Sequence, residues 1–238
     1  MPFHERVLVM NDIHLPYHDI PALDAALKWG KKQNPDAIFL NGDIIDCYEL
    51  SQFDKDPKQR KFYEELQTLE QFIALLKKIF KCPIYFKFGN HELRYHKFLY
   101  RKAKELVGIE EFDLHAIIKK RADVITIENN RVVIINGLAH IHGHEFGRAL
   151  FSPVNAARGL FLQAKSSAVK GDCHATSEHT ERDIHGKMMT TYSIGCLCGL
   201  TPEYAPLNKW NHGVAMQFNE RDGRYRLDNR RIYNGKVI

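Results

Sequence analysis

Aspartate, histidine and asparagine residues recur in short polar clusters, each directly after a run that is typical of a β-strand. The clusters are Asp12-Ile13-His14, Gly42-Asp43-Ile44-Ile45-Asp46, Gly89-Asn90-His91-Glu92, His140-Ile141-His142-Gly143-His144 and Gly171-Asp172-Cys173-His174. Ligand sites in open α/β sheets form beyond the carboxyl ends of strands, so separate loops can converge on one crevice. Glycines in such loops allow tight turns and let a metal or phosphate come close.

The mixture of carboxylate and imidazole groups predicts a transition-metal centre. These ligands suit Mn, Fe, Zn or Co better than Mg or Ca, which prefer oxygen. About seven such groups exceed what one ion needs, whereas two ions about 3.5–4 Å apart that share a carboxylate would use them all. The alternating spacing of Asp12 and His14 is expected to direct both side chains to the same side of the strand end.

The segments between the clusters predict an α/β fold. Apolar runs predict strands in the first half, and amphipathic spacing predicts helices between them. The predicted strands are Val7–Met10, Ala37–Leu40 and Ile84–Phe88, and the predicted helices are Pro21–Lys32, Phe62–Phe80 and Leu93–Leu106. This alternation is typical of a parallel sheet with helices on its faces.

The second half is richer in short β-type runs separated by turn signals. Predicted strands are Val124–Ile127, Arg131–Ile135, Leu138–Ile141, Ala168–Lys170, Met188–Ile194, Val214–Phe218 and Tyr225–Leu227, with one helix at Val154–Lys165. We therefore expect a βαβ half joined to a more antiparallel half, forming a two-sheet β-sandwich flanked by helices. No linker interrupts the pattern, so residues 1–238 are predicted to form a single domain.

Composition excludes several classes of protein. No apolar run reaches the ~18 residues of a membrane helix, and the N-terminal residues lack the pattern of a signal peptide. The five cysteines are odd in number and none are at C-x-x-C spacing, which argues against a disulfide framework or a zinc ribbon. We therefore expect a protein of the reducing cytoplasm. The net charge of +5 is only a modest excess of basic over acidic residues.

The clusters together resemble the signature of the calcineurin-like metallophosphoesterase superfamily. That signature runs D-x-H, G-D-x-x-D, G-N-H-[DE], a strand-end His and G-H-x-H, and the resemblance covers residues 7–174. It implies two divalent transition-metal ions, with manganese as the first choice and Zn, Fe, Ni or Co as alternatives. It also implies a ligand set in which Asp43 bridges the ions. The other ligands are Asp12, His14 and His174 for the first metal, and Asn90 and His142 for the second.

The same resemblance implies that His91 is the general acid that protonates the leaving group and that Asp46 orients it. A carboxylate on one ring nitrogen fixes the tautomer and raises the basicity of the other. Arg94 follows the third motif by two residues. Two interpretations of Arg94 stay open, a phosphate contact and a surface salt bridge. His144 is a candidate substrate contact, and His140 is a candidate supporting or core residue.

The sequence departs from the family pattern at two points. Asp172 stands where the family has a histidine ligand to the second metal. Either Asp172 binds that metal through oxygen, or it bonds to backbone amides and leaves the ion one ligand short. Cys47-Tyr48 stands where protein-serine phosphatases carry Arg-Gly, which disfavours that subclass. The stretch from Gly195 to Gly213 is similar to the tails of phage and prophage members.

The expected reaction is hydrolysis of a phosphate ester, with nucleic acid or a nucleotide as the first choice of substrate. Basic and aromatic residues cluster at Phe62-Tyr63 and Arg94–Arg101, with further basic residues at Lys55–Lys61. Such residues hold nucleic-acid strands by stacking and charge neutralisation, although helix packing and a solvated surface are the alternatives. Two other functions stay open. One is a broad phosphomonoesterase that includes phosphoproteins, and the other is a non-catalytic metal-binding protein if Asp172 disables the second site. Oligomeric state is not predicted.

Overall fold

A computed structural model describes residues 1–52, 61–127, 131–147, 154–202 and 204–238 of the chain. The basic segment Lys55–Lys61 therefore lies outside the described residues except for Lys61. The described strands are β1 (Arg6–Met10), β2 (Ala37–Asn41), β3 (Ile84–Lys87), β4 (Ile125–Ile127), β5 (Val133–Ile135), β6 (Leu138–His140), β7 (Ala168–Lys170), β8 (Ser177–Arg182), β9 (Met188–Ser193), β10 (His212–Asn219), β11 (Tyr225–Tyr233) and β12 (Lys236–Val237). The described α-helices are α1 (Ile20–Gln33), α2 (Phe62–Phe80), α3 (Leu93–Lys102), α4 (Leu114–Ala122) and α5 (Ala156–Ala164).

The strands form two sheets. The larger has seven strands in the order β12-β11-β10-β1-β2-β3-β4, and the smaller has five in the order β5-β6-β7-β9-β8. Strands β1 to β4 are parallel, as the βαβ pattern predicts, and β10 adds to β1 in antiparallel register. The smaller sheet is mixed, because β6, β7 and β9 are parallel while β5 and β8 pair antiparallel at its edges.

Alternation along β1 explains how the layers pack. Leu8 and Met10 belong to an apolar cluster shared with residues of α1 and α2, whereas Val7 and Val9 belong to a cluster shared with residues of the smaller sheet. Successive side chains of a strand point to opposite faces, so a strand covered on both faces reads as a continuous apolar run. The predicted two-sheet sandwich flanked by helices is confirmed.

Three differences from the predicted elements have local causes. The helix predicted to reach Leu106 ends at Lys102, because Ala103 leaves the helical conformation and a 3₁₀ turn follows. Helix α4 was not predicted; it is only nine residues long and is capped by the Asp113 side chain. Strand β8 was also not predicted, because its polar edge sequence carries no apolar alternation. None of the helices in the described residues could cross a membrane.

Candidate metal centre and active site

The five polar clusters follow β1, β2, β3, β6 and β7, so both sheets contribute side chains to one site. The residues implied as ligands of the first metal lie together, and we refer to Asp12, His14 and His174 as the first cluster. His174 Nε2 lies 3.2 Å from Asp12 Oδ1, and His14 Nε2 lies 4.0 Å from the same oxygen. Asp12 is fully buried, and both histidines are 5% exposed.

The residues implied for the second metal lie beside them, and we refer to Asn90, His142 and Asp172 as the second cluster. His142 Nε2 lies 3.1 Å from Asn90 Oδ1 and 3.8 Å from Asp172 Oδ1. Asp43 lies between the clusters, because its Oδ2 is 3.2 Å from His142 Nε2 and 3.9 Å from His14 Nε2. The structure therefore brings together all seven predicted ligands.

These donors fit metal ions. His14 Nε2 is buried and has no hydrogen-bond partner, although carboxylate oxygens of Asp12 and Asp43 stand about 4 Å away. Carboxylate and imidazole donors bind transition metals at about 2 Å, so donors of one ion lie roughly 3–4 Å apart. Groups of Asp, His and Cys donors that could hold a metal include Asp12 with Asp43 and His142, and His14 with Asp43 and His91.

Glycines make room for the donors at the turns of each motif. A Cβ on Gly42 would lie 2.5 Å from His142 Nδ1, and one on Gly171 would lie 2.6 Å from Asp12 Oδ2. A Cβ on Gly89 would collide with the carboxylate of Asp43. Side chains larger than hydrogen would therefore push ligands out of position.

A left-handed backbone conformation orients most of the predicted ligands. The φ angles are 50–60° at five of them, namely Asp12, His14, Asp43, Asp172 and His174. The expectation that strand alternation directs Asp12 and His14 is therefore wrong in its reason, because β1 ends at Met10 and both residues turn in the loop beyond it. Such conformations cost about 1–3 kcal/mol each and cluster at functional sites.

Charge explains the titration of the site. Burial alone would raise the pKa of Asp43, yet His142 and His91 hold it well below its usual range. Burial would likewise lower the pKa of His142, but Asp43 and Asp12 raise it well above its usual range. Without a metal, protons on the imidazoles balance the buried carboxylates. Metal binding must therefore release protons.

Asp46, His91 and Arg94 form a connected group beside the clusters. Asp46 Oδ1 lies 2.8 Å from His14 Nδ1 and 3.0 Å from His91 Nδ1. Burial opposes ionisation of Asp46, but hydrogen bonds from these two histidines hold its pKa well below the usual range. Arg94 donates to the Asp46 carbonyl at 3.0 Å and to His91 Nε2 at 2.9 Å. Arg94 also lies 3.5 Å from Asp46 Oδ2, so it forms a partly buried ion pair within the site rather than a surface salt bridge.

The Asp172 carboxylate points toward His142, another member of the second cluster. Its backbone N–H donates to both Asp12 oxygens, at 3.0 and 3.2 Å, whereas its carboxylate has no hydrogen bond to a backbone amide in the described part of the chain. Burial raises the pKa of Asp172, although its side chain is 34% exposed. This arrangement favours a carboxylate that binds the second metal over one that bonds to amides.

Sequence reasoning missed three buried ionisable groups that hold the motif loops. Glu92 accepts from Asp43 N, Ile44 N, Ile45 N and Gly89 N, at 2.7–3.1 Å. Glu65 accepts hydrogen bonds from the backbone amides of Cys47 and Tyr48, the two residues that follow Asp46. The signal for Glu65 was its place on the apolar face of α2, next to Leu66 and Leu69.

The third group is a buried ion pair. Lys87 Nζ lies 2.5 Å from Glu145 Oε1, and the Glu145 carboxylate accepts from the amides of His142 and Gly143. Lys87 is fully buried at the end of the apolar strand β3, which was the available signal. His140 is also buried, with Nε2 2.6 Å from Gln217 Oε1, in agreement with its prediction as a core residue.

A cleft of about 620 Å³ adjoins the second cluster. Asn90 and Asp172 lie in its wall, together with His144. The cations that line it are Arg94, Lys97, Arg101 and Lys170. Of the predicted aromatic cluster, Phe62 packs against Tyr95 at 5.5 Å. Those two rings therefore serve helix packing.

The chain is similar to several known proteins. The chain is 23% identical over 205 residues to the Gene 54 protein of Mycobacterium phage D29, covering 82% of this chain and 80% of that one. Among solved structures, Vps29 of Entamoeba histolytica with Zn²⁺ is 13% identical, with a TM-score of 0.46 and coverage of 98% and 96%. A dimetal phosphatase from Danio rerio is 12% identical, with a TM-score of 0.47 and coverage of 98% and 97%. Residues 5–181 match the calcineurin-like phosphoesterase family, and the chain belongs to that family.

Proposed function

We propose that the chain is a dinuclear-metal-dependent hydrolase of phosphate esters, acting on a phosphodiester in nucleic acid or a nucleotide. The observation that carries this proposal is the convergence of seven donors at one site, among them the buried, unpartnered Nε2 of His14. Asp12, His14 and His174 hold one ion in this proposal, and Asn90, His142 and Asp172 hold the other. Asp43 serves both ions.

Bound metal ions supply Lewis-acid stabilisation of the phosphoryl oxygens and lower the pKa of water. Manganese is the first choice for both ions, and Zn, Fe, Ni or Co are the alternatives. The chain supplies a rigid frame for these ions. Glu92 holds the loop that carries Asp43, and the Lys87–Glu145 pair holds the loop that carries His142.

His91 is the proposed general acid. Its Nδ1 faces Asp46, which leaves Nε2 as the atom that can deliver a proton to the leaving group. In the structure Arg94 donates to that Nε2, and arginine is always protonated. Arg94 must therefore leave Nε2 before His91 can carry the proton there. A substrate phosphate would draw Arg94 away from Nε2, because phosphate oxygens bind a guanidinium more strongly than an imidazole nitrogen does.

The cleft supports the preference for a diester. Lys97, Arg101 and Lys170 line it together with Asn90 and Asp172, and a single phosphomonoester would leave some of these cations without a partner. Diesters of nucleotides continue past the scissile phosphate and place further groups there.

The experiment is hydrolysis of two esters by metal-stripped protein, titrated separately with Mn, Zn, Ni and Mg. We expect bis(p-nitrophenyl) phosphate to be cleaved faster than p-nitrophenyl phosphate once metal is restored, and Asp43→Asn to be inactive on both. Faster cleavage of the monoester would contradict the proposed diesterase activity and would indicate a phosphomonoesterase. Metal binding without hydrolysis of either ester would indicate a non-catalytic member.

A further inference from the structure

An aromatic loop borders the metal centre, and the proposed function leaves it without a role. The loop connects β9 to β10. It carries Trp210, whose ring centroid lies 4.1 Å from that of His174, and Tyr204, whose ring lies 6.2 Å from Trp210 in an edge-on arrangement. Tyr204 is 78% exposed. Two rings thus extend from a candidate metal ligand outward to solvent.

The loop is held by its own hydrogen bonds. The Asn208 side chain donates to the carbonyls of Leu200 and Ala205, at 2.6 and 2.7 Å, and accepts from the Trp210 amide at 2.8 Å. The Asn208 side chain therefore holds the backbone of this loop at Leu200, Ala205 and Trp210.

A row of cations leads away from the same centre. Arg94, Lys97 and Arg101 are spaced i, i+3 and i+7 along α3, so they share one helix face over a rise of about 10 Å. All three line the cleft, and Lys170 lines it too. Neither Lys97 nor Arg101 forms an ion pair with any described carboxylate. The row is long enough for more than one phosphate.

We infer that the substrate is single-stranded nucleic acid, with its flanking phosphates along the α3 cations and an unpaired base against Tyr204 and Trp210. This inference rests on the proposed function and narrows its substrate. A basic groove combined with exposed aromatic rings is how proteins hold strands without reading sequence. Paired bases in a duplex present no free face to the rings. A phosphoprotein offers one phosphate to a row of cations.

The test compares four substrates with the manganese-loaded protein. These are a twelve-residue oligothymidylate, its duplex with oligoadenylate, an abasic strand of equal length and methyl p-nitrophenyl phosphate. We expect kcat/KM for the single strand to exceed that for the duplex at least about tenfold. Stacking contributes roughly 1–3 kcal/mol per base, so the abasic strand should lose about 5- to 150-fold in kcat/KM.

Variants separate the two contacts. Tyr204→Ala should lose at least about tenfold more on the oligothymidylate than on the small diester, and should lose nothing further on the abasic strand. Lys97→Ala/Arg101→Ala should reduce the slope of log binding against log salt by about 1.4, since each single-strand phosphate contact contributes about 0.7. Lys31→Ala/Lys32→Ala, an exposed pair on α1, is the matched control and should leave the slope unchanged.

Two failures are distinguishable. Hydrolysis of the small diester with equal activity on single strand and duplex, and no special loss for Tyr204→Ala, would overturn this inference and leave the proposed function standing. Absence of hydrolysis on every ester would overturn the proposed function. Anisotropy of the labelled strand then still tests the inference, because no preference for single strand over duplex would overturn it too.

Discussion

The two clusters of the candidate centre differ in their contact with solvent. The first cluster is closed, with Asp12 fully buried and His14 and His174 each 5% exposed. The second cluster opens on the cleft, where the Asp172 side chain is 34% exposed. The closed cluster is thus suited to keep an ion permanently, and the open one to meet substrate. The departure from the family pattern, Asp172, falls on the open side.

The largest expected loss of hydrolysis comes from replacing Asp43, the carboxylate that both clusters share. Asp43 stands between His14 and His142, so Asp43→Asn should weaken both ions and lower hydrolysis at least about 1,000-fold, because metal stabilisation amounts to several kcal/mol. Metal content by mass spectrometry and kcat/KM are the measurements. Asp172→Asn is the matched variant and should lose only the second ion. Retention of two ions by Asp43→Asn would show that the carboxylate does not bridge.

His91→Ala should keep both ions and lower turnover by about 10²- to 10⁴-fold. The loss should be greater for alkyl esters than for nitrophenyl esters, because a poor leaving group depends more on a proton. Rates for the two ester types, with metal content as the control, test this directly. Equal losses on both would remove His91 from the general-acid role.

Sequence alone predicted the motif residues that meet here because each cluster follows an apolar strand. Parallel strands end at the same edge, which is how the residues of β1, β2 and β3 converge. The smaller sheet's contribution was harder to place, since β6 and β7 are only three residues long. The left-handed turns at Asp12 and His14 carry no glycine and therefore no local signal.

The roles of the supporting residues and of the aromatic loop could not be predicted from the sequence, for another reason. Glu65 lies 18 positions from Cys47, and Lys87 lies 58 positions from Glu145. Such pairings depend on the tertiary fold and on no local periodicity. Tyr204 and Trp210 lie near the centre because β10 returns beside β1, which strand patterns alone do not reveal.

The buried Lys87–Glu145 pair, which supports only the second cluster, provides a sharper test of the difference between the two clusters. Lys87 pairs with the Glu145 carboxylate that holds the His142 amide. Lys87→Met should weaken the second ion by about 10- to 100-fold, as is typical of lost outer contacts to a metal ligand, and should spare the first. Calorimetric titration with Mn²⁺ measures both steps, with Lys78→Met on the exposed face of α2 as control. Equal weakening of the two ions would contradict a role confined to the second cluster.

The smallest effect concerns the loop that carries Asp46 and Tyr48. Burial, and to a lesser degree Asp46, raise the pKa of Glu65 to about 8, above the ~4.3 of an unfolded glutamate. The folded state therefore holds this proton more tightly, so the stability it contributes is complete below about pH 4 and is lost as pH rises through 8.

Urea unfolding of metal-free protein at several pH values measures this contribution. Between about pH 5 and 8 the free energy of unfolding should fall more steeply in the parent than in Glu65→Gln, by about 1 kcal/mol per pH unit. Glu70→Gln, on the same helix, is the control and should keep the parent slope. Parallel slopes for the parent and Glu65→Gln would show that Glu65 titrates normally.

The most direct test is a manganese titration of metal-stripped protein with hydrolysis of bis(p-nitrophenyl) phosphate followed at each step. We expect two binding steps of unequal affinity, with hydrolysis rising only during the weaker one, and Asp172→His bringing the second affinity closer to the first. Full activity at one equivalent of metal, or two bound ions without hydrolysis, would contradict a dinuclear phosphoesterase whose open cluster completes the site.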